Sequence, residues 1–166
     1  MFGRTGKAMA LAGAVAAAAF GGAEARQGAG ASDPATASGP DICTRLPAAQ
    51  VARILKTPVA LAEPNTDAGA RSCVYSLTTE GPTVVVSRLA GDWDAVRAGF
   101  RTSDPQPVAG VGRQALWYPI DHALQVEAED GSVLRVGFNP GDDTKIAGRH
   151  KALATDLARA ALAALK

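Results

Sequence analysis

Residues 124–138, LQVEAEDGSVLRVGF, decide how this chain is read. Leu124, Val126 and Ala128 alternate with Gln125, Glu127 and Glu129, and Leu134, Val136 and Phe138 repeat the two-residue step beyond Asp130-Gly131. Such alternation marks strands with one apolar face, and a turn between them makes an antiparallel hairpin. A two-residue Asp130-Gly131 loop sets Glu127 opposite Leu134 and mixes the faces. A three-residue Glu129-Asp130-Gly131 loop sets Val126 opposite Leu134 and Leu124 opposite Val136, with Gly131 at the left-handed position that such loops favour. The second register is the one expected.

Working back from this hairpin, Arg113 to Tyr118 reads as a strand, joined to it by a loop at Pro119-Ile120-Asp121-His122. Asp92 is placed to cap a helix carrying Trp93, Val96 and Phe100 on one face, which Pro105 and Pro107 break. Thr83 to Ser87 is a β-branched strand, antiparallel to Cys73–Leu77, on which Cys73, Tyr75 and Leu77 share a face. Before these, a turn-rich stretch runs through Glu63-Pro64-Asn65 and Asp67-Ala68-Gly69. Val51, Ile54 and Leu55 mark an amphipathic helix from Pro47 to Lys56, with Pro47 at its first position and Pro58 as its stop. Beyond the hairpin, Asp142, Asp143 and Thr144 offer caps for a closing helix from about Thr144 to Leu165, striped by Ile146, Leu153, Leu157, Ala161 and Leu165. The order is α-β-β-α-β-β-β-α, and clustered hairpins with few helices between them predict an α+β domain: a largely antiparallel sheet with helices packed on it.

The remaining chain reads as an address. Arg4 and Lys7 precede an uncharged, mostly apolar run from Ala8 to Phe20, shorter than the roughly 18 apolar residues of a spanning helix. Ala23-Glu24-Ala25 then supplies a small–x–small cleavage pattern, so residues 1–25 are predicted to be a cleaved export signal and the mature chain to start at Arg26. No cysteine near the cut offers a lipid attachment point, so no membrane anchor is expected. Residues 26–40, RQGAGASDPATASGP, hold no large apolar side chain and should form a disordered linker. The domain then occupies residues 41–166. In a periplasmic or extracellular setting, the only two cysteines, Cys43 and Cys73, are expected to form one disulfide.

Charge narrows the function. Seventeen Lys+Arg against sixteen Asp+Glu give a net charge of +1, with no basic cluster to suit a nucleic acid. Gly110-Val111-Gly112-Arg113-Gln114-Ala115 fits a loose dinucleotide fingerprint but lacks the strand before it and the helix after it, and reads as a glycine turn entering a strand. Asp121-His122 resembles half of a nucleophilic triad, but no serine lies in a nucleophile-elbow context, so no catalytic residue is assigned. Asp92-x-Asp94 and Asp142-Asp143 read as helix caps. His150 falls on the apolar stripe of the closing helix and is read as a boundary residue, because a zinc site needs three or four ligands and too few are in sight. No metal and no cofactor are expected. Trp93, Leu116, Trp117, Tyr118 and His150 are the candidates to line a ligand cleft between helices and sheet.

One set of motifs is familiar. Asp41-Ile42-Cys43 precedes the helix from Leu46 to Leu55. Pro58-Val59 follows, then Cys73-Val74-Tyr75, then Pro107-Val108-Ala109-Gly110-Val111-Gly112 ahead of Ala115-Leu116-Trp117. Over most of residues 41 to 165 this pattern resembles small exported domains of unknown function found in bacterial cell-envelope lipoproteins, which are PsbP-like α/β/α sandwiches in architecture. Pro47 stands where those domains have Ser or Thr, and the lipid-attachment cysteine is missing. The resemblance implies an extracytoplasmic binding role without established catalysis, and it maps the two cysteines onto the family's disulfide pattern. The function expected is a non-catalytic interaction module of the cell envelope with another envelope protein as partner. The alternative is a carrier of a small apolar ligand.

Overall fold

The structure, a computed structural model, describes residues 41–65, 71–78, 81–100, 104–139 and 148–166. The export signal and linker, the Asp67-Ala68-Gly69 turn, and the Asp142, Asp143, Thr144 and Ile146 expectations lie outside the described residues. The elements are α1 (Ile42–Arg45), α2 (Ala48–Leu55), β1 (Leu61–Asn65), β2 (Arg71–Ser76), β3 (Thr83–Leu89), α3 (Trp93–Ala98), β4 (Gln106–Pro107), β5 (Gln114–Tyr118), β6 (Ala123–Glu127), β7 (Val133–Asn139) and α4 (His150–Ala164). Seven strands form one antiparallel sheet in the order β1-β2-β3-β7-β6-β5-β4. The α+β class and each element read from the sequence are present, joined by α1, β1 and β4.

The β6–β7 hairpin has the expected register, with Val126 opposite Leu134 and Leu124 opposite Val136. Its three-residue loop closes through Ala128 N–H to Ser132 O at 2.8 Å and Gly131 N–H to Ala128 O at 3.0 Å, with Gly131 at φ +80°. The Asp130 carboxylate accepts from the Ser132 hydroxyl at 2.6 Å and its N–H at 3.0 Å, bonds that hold its pKa below the usual carboxylate range.

Three local readings are corrected. Glu63-Pro64-Asn65 is not a turn but the end of β1. As the terminal strand of the sheet, β1 tolerates Pro64, whose missing N–H would break a central ladder. Pro47 is the N-cap of α2 rather than its first residue, because its ψ of 151° is extended. The closing helix begins at His150, since Gly148 and Arg149 form a turn and Arg149 sits at φ −119°, ψ 0°, outside helical geometry, so the expected helix does not run continuously through them.

Alternation along the strands separates the two faces of the sheet. On one lie Cys73, Tyr75, Val84, Val86, Leu124, Val126, Val136 and Phe138, packed under α1, α2 and α4 into a single apolar core. Ala154, Ala158 and Ala161 of α4 are fully buried, so the helix backbone approaches the sheet closely. The Cys43–Cys73 disulfide spans a Cα–Cα distance of 5.2 Å and ties α1 to β2. Beside it, the Tyr75 hydroxyl donates to the Leu46 carbonyl at 2.6 Å, satisfying a group at the end of α1.

The opposite face is not simply polar and wet. β6 is buried along its whole length, Gln125 included at 0% exposure, because strands flank it on both sides and the α3 segment lies over this face. Asp92 caps α3 through Ala95 N–H at 2.8 Å, and Phe100, just beyond it, packs against Tyr118 with ring centroids 5.5 Å apart. The Arg135 guanidinium lies 4.8 Å from the Phe100 ring centre.

Both tyrosines of the chain are thus buried. Burial and the nearby Asp41 charge push the Tyr75 pKa well above the ordinary value of 10.0, and burial, aided by Asp121 and partly offset by Arg97 and Arg135, raises that of Tyr118. A phenol harder to ionise when folded contributes stability that is intact below the unfolded pKa and is lost as pH rises above it. Tyrosinate absorbance is therefore expected to appear at higher pH in the native protein than in the unfolded chain, and to rise together with unfolding. A native titration of either tyrosine near its ordinary pKa overturns this assignment.

Candidate functional site

The five residues expected to line one cleft are divided by the sheet. Trp117 points into the apolar core beneath the helices, and His150 opens α4 on that side. Leu116 and Tyr118 flank Trp117 in β5 and face the other way, where Tyr118 meets Phe100. Trp93 is buried outside the main core cluster. Adjacent strand residues alternate faces, so Leu116, Trp117 and Tyr118 cannot line a single cavity.

A different pair does meet: the chain's two histidines. His122 ends the tight turn between β5 and β6 at φ +46°, a left-handed conformation uncommon for residues other than glycine. Its N–H donates to Pro119 O at 3.4 Å and its carbonyl accepts from Phe138 N–H at 3.0 Å. The Phe138 ring stacks on His150, with centroids 4.9 Å apart and planes 21° from parallel. His150 is 3% exposed, and its Nδ1 lies 3.4 Å from Nδ1 of the half-buried His122, the rings meeting edge to face at 69°. Burial first, and the neighbouring imidazole second, lower the His150 pKa from its ordinary 6.5. Nε2 of His150 is buried without a protein partner.

The hairpin explains the meeting. The register that pairs Val126 with Leu134 extends one step past the ladder to place His122 opposite Phe138. The same register is legible in the sequence, where His122 stands out only as part of the Asp121-His122 pair. The return of α4 onto the end of β7, which brings His150 to that spot, has no local sequence signal.

The glycine motif has a structural use. Gly110 and Gly112 have φ of +74° and +58°, and a Cβ on Gly112 would collide with the Glu127 carbonyl and the Val126 side chain. Arg113 N–H then bonds to Glu127 O at 2.8 Å as the chain runs into β5, so this is a turn that starts a strand.

Concave surfaces lie elsewhere. A groove of about 380 Å³ between the end of α4 and the β6–β7 hairpin has Leu134, Leu162 and Leu165 on its floor and Arg88, Asp130 and Lys166 around it. Arg88 pairs with Asp130 at 3.0 Å across it. On the other face, a depression of about 210 Å³ lies above Gly137, bounded by Val85, Ser87, Arg135 and Asn139. Among the described residues no helix is long and apolar enough to cross a membrane. Comparison with protein families, with curated proteins and with solved structures finds no match to this chain.

Proposed function

We propose that the chain is an exported, non-catalytic binding module of the bacterial cell envelope that engages another envelope protein through its sheet. The observation that carries this reading is the uneven cover of the second face. Over β5, β6 and β7 that face is largely buried, whereas over β1, β2 and β3 it keeps Leu61 at 49% exposure with Val74 and Val85 only half-buried. These apolar side chains lie beside the terminal strand of the sheet, a place where backbone pairing and side-chain contact can act together. Among the described residues, Trp93, Leu116, Trp117 and Tyr118 line none of the concave surfaces described. The disulfide supports an oxidising compartment, and the expected signal supplies the route there.

Exported material is expected to begin at Arg26, and a cross-linked envelope partner is expected to be lost from Val85→Arg with an unchanged unfolding midpoint. An intact Met1, or a partner retained by Val85→Arg, overturns the proposal. The α4–hairpin groove favours the second reading, a carrier of a small apolar ligand. Under that reading, mass spectrometry finds a small molecule in extracts of the wild type and not of Leu162→Asp.

A further inference from the structure

We propose that His122 and His150 form an acid-sensitive latch: uncharged, the pair fastens the start of α4 to the turn between β5 and β6, and protonation releases the first turn of that helix. The pair has no room for a further proton. Its two Nδ1 atoms face each other at 3.4 Å, so contact between neutral rings needs one N–H and one bare nitrogen. Nε2 of His150 is buried without a protein partner. A buried donor is orphaned less often than a buried acceptor, which leaves the His150 proton on Nδ1 and makes Nδ1 of His122 the acceptor.

An added proton finds no satisfied position in this arrangement. On Nδ1 of His122 it sets two N–H groups against each other. On Nε2 of His150, a residue 3% exposed, it places a charged donor where nothing accepts it. Moving the His150 proton to Nε2, so that Nδ1 can accept from a charged His122, buries the same orphaned donor.

The surroundings do not favour the charge either. His150 is the first residue of α4, at the positive end of the helix dipole, with no side-chain cap and no acidic residue in the first turn. The neighbouring charges on α4 are Arg149 and Lys151, the latter donating to Gln106 Oε1 at 3.0 Å. On the turn, Asp121 precedes His122, and β7 contributes the uncharged Phe138 and Asn139. Burial and the second imidazole hold His150 below its ordinary pKa of 6.5. A group harder to protonate when folded contributes stability that is whole above its unfolded pKa and is lost as pH falls through the lower folded value. Release is local, because Leu157, Ala158 and Ala161 are fully buried further along α4 and keep the rest of the helix docked. It uncovers Phe138, 5% exposed beneath the His150 ring, so acid presents an apolar side chain that neutral pH conceals. The inference is independent of what binds the sheet face.

The test follows the exported, disulfide-intact protein by nuclear magnetic resonance from neutral to acid pH. The His150 ring is expected to titrate below 6.5. Leu153 N–H donates to Arg149 O at 3.0 Å and closes the first turn, so its hydrogen exchange, corrected for intrinsic rate, reads the latch. Its opening equilibrium is expected to rise by up to about tenfold per pH unit below the unfolded pKa, the limit for one proton, while the β6–β7 amides keep their protection. His150→Phe, which keeps a ring against Phe138 and carries no proton, is expected to abolish the rise. A His150 titration at or above 6.5, an opening at Leu153 that ignores pH, the same pH dependence in His150→Phe, or loss of β6–β7 protection in step with Leu153 overturns the proposal. The titration and the wild-type exchange need no variant, so they decide the matter even where His150→Phe fails to fold.

Discussion

Replacing Cys43 and Cys73 together with alanine is expected to lower the free energy of unfolding by about 2–5 kcal/mol. The bridge closes a sequence separation of 30 residues, for which the chain-entropy account gives about 3–4 kcal/mol. The structure adds a local reason. α1 is four residues long, too short to hold helical geometry by itself, and it stays in place through the bridge, the Asp41 cap to Cys43 N–H at 3.1 Å and the Tyr75–Leu46 hydrogen bond. Cys73 is fully buried, so alanine is the better replacement, since serine would add a hydroxyl to the core. Guanidinium titration of the double variant measures the loss, and hydrogen exchange should show α1 opening before the sheet. A midpoint equal to that of the wild type contradicts the structural role given to this bridge.

Truncating Leu157 to alanine should cost a similar amount, about 2–5 kcal/mol, because a cavity is left where the surroundings cannot close. Leu157 is fully buried at the middle of α4, and its helical neighbours Ala154, Ala158 and Ala161 are already small and fully buried. The helix cannot settle further onto the sheet to fill the space. Leu165, half-buried at the C-cap, provides the contrast, and Leu165→Ala is expected to cost much less. Equal and small effects of the two substitutions in denaturant titration would mean that α4 is not docked through its mid-helix stripe.

Where the apolar pattern was strict, local reading reached the three-dimensional arrangement. The hairpin register follows from the requirement that Leu124, Val126, Leu134 and Val136 share one face, which a slip of one residue would destroy. The Asp92 cap, the β2–β3 pairing and the common face of Cys73, Tyr75 and Leu77 are equally local consequences of side-chain chemistry and strand period. Where the pattern was weak, the outcome depended on partners distant in sequence. β1 carries Glu63, Pro64 and Asn65, and only the ladder offered by β2 makes it a strand. Gln125 reads as a solvent-facing residue from its alternation, yet a second layer over the sheet buries it.

The sequence by itself determined the α+β class, the face of each central strand, the pairing of its two cysteines and the stripe that docks α4. Each follows from a short period or from having a single candidate partner. Only the tertiary structure decided that the aromatic residues of β5 split between two faces, that half of the sheet leaves Leu61 exposed with Val74 and Val85 half-buried, and that Nδ1 of His122 and Nδ1 of His150 stand 3.4 Å apart. The last of these joins residues separated by 28 positions across a hairpin and a returning helix. No periodicity spans that distance, because the strand and helix periods report which face a residue takes within its own element and carry no information about which elements come to lie against each other.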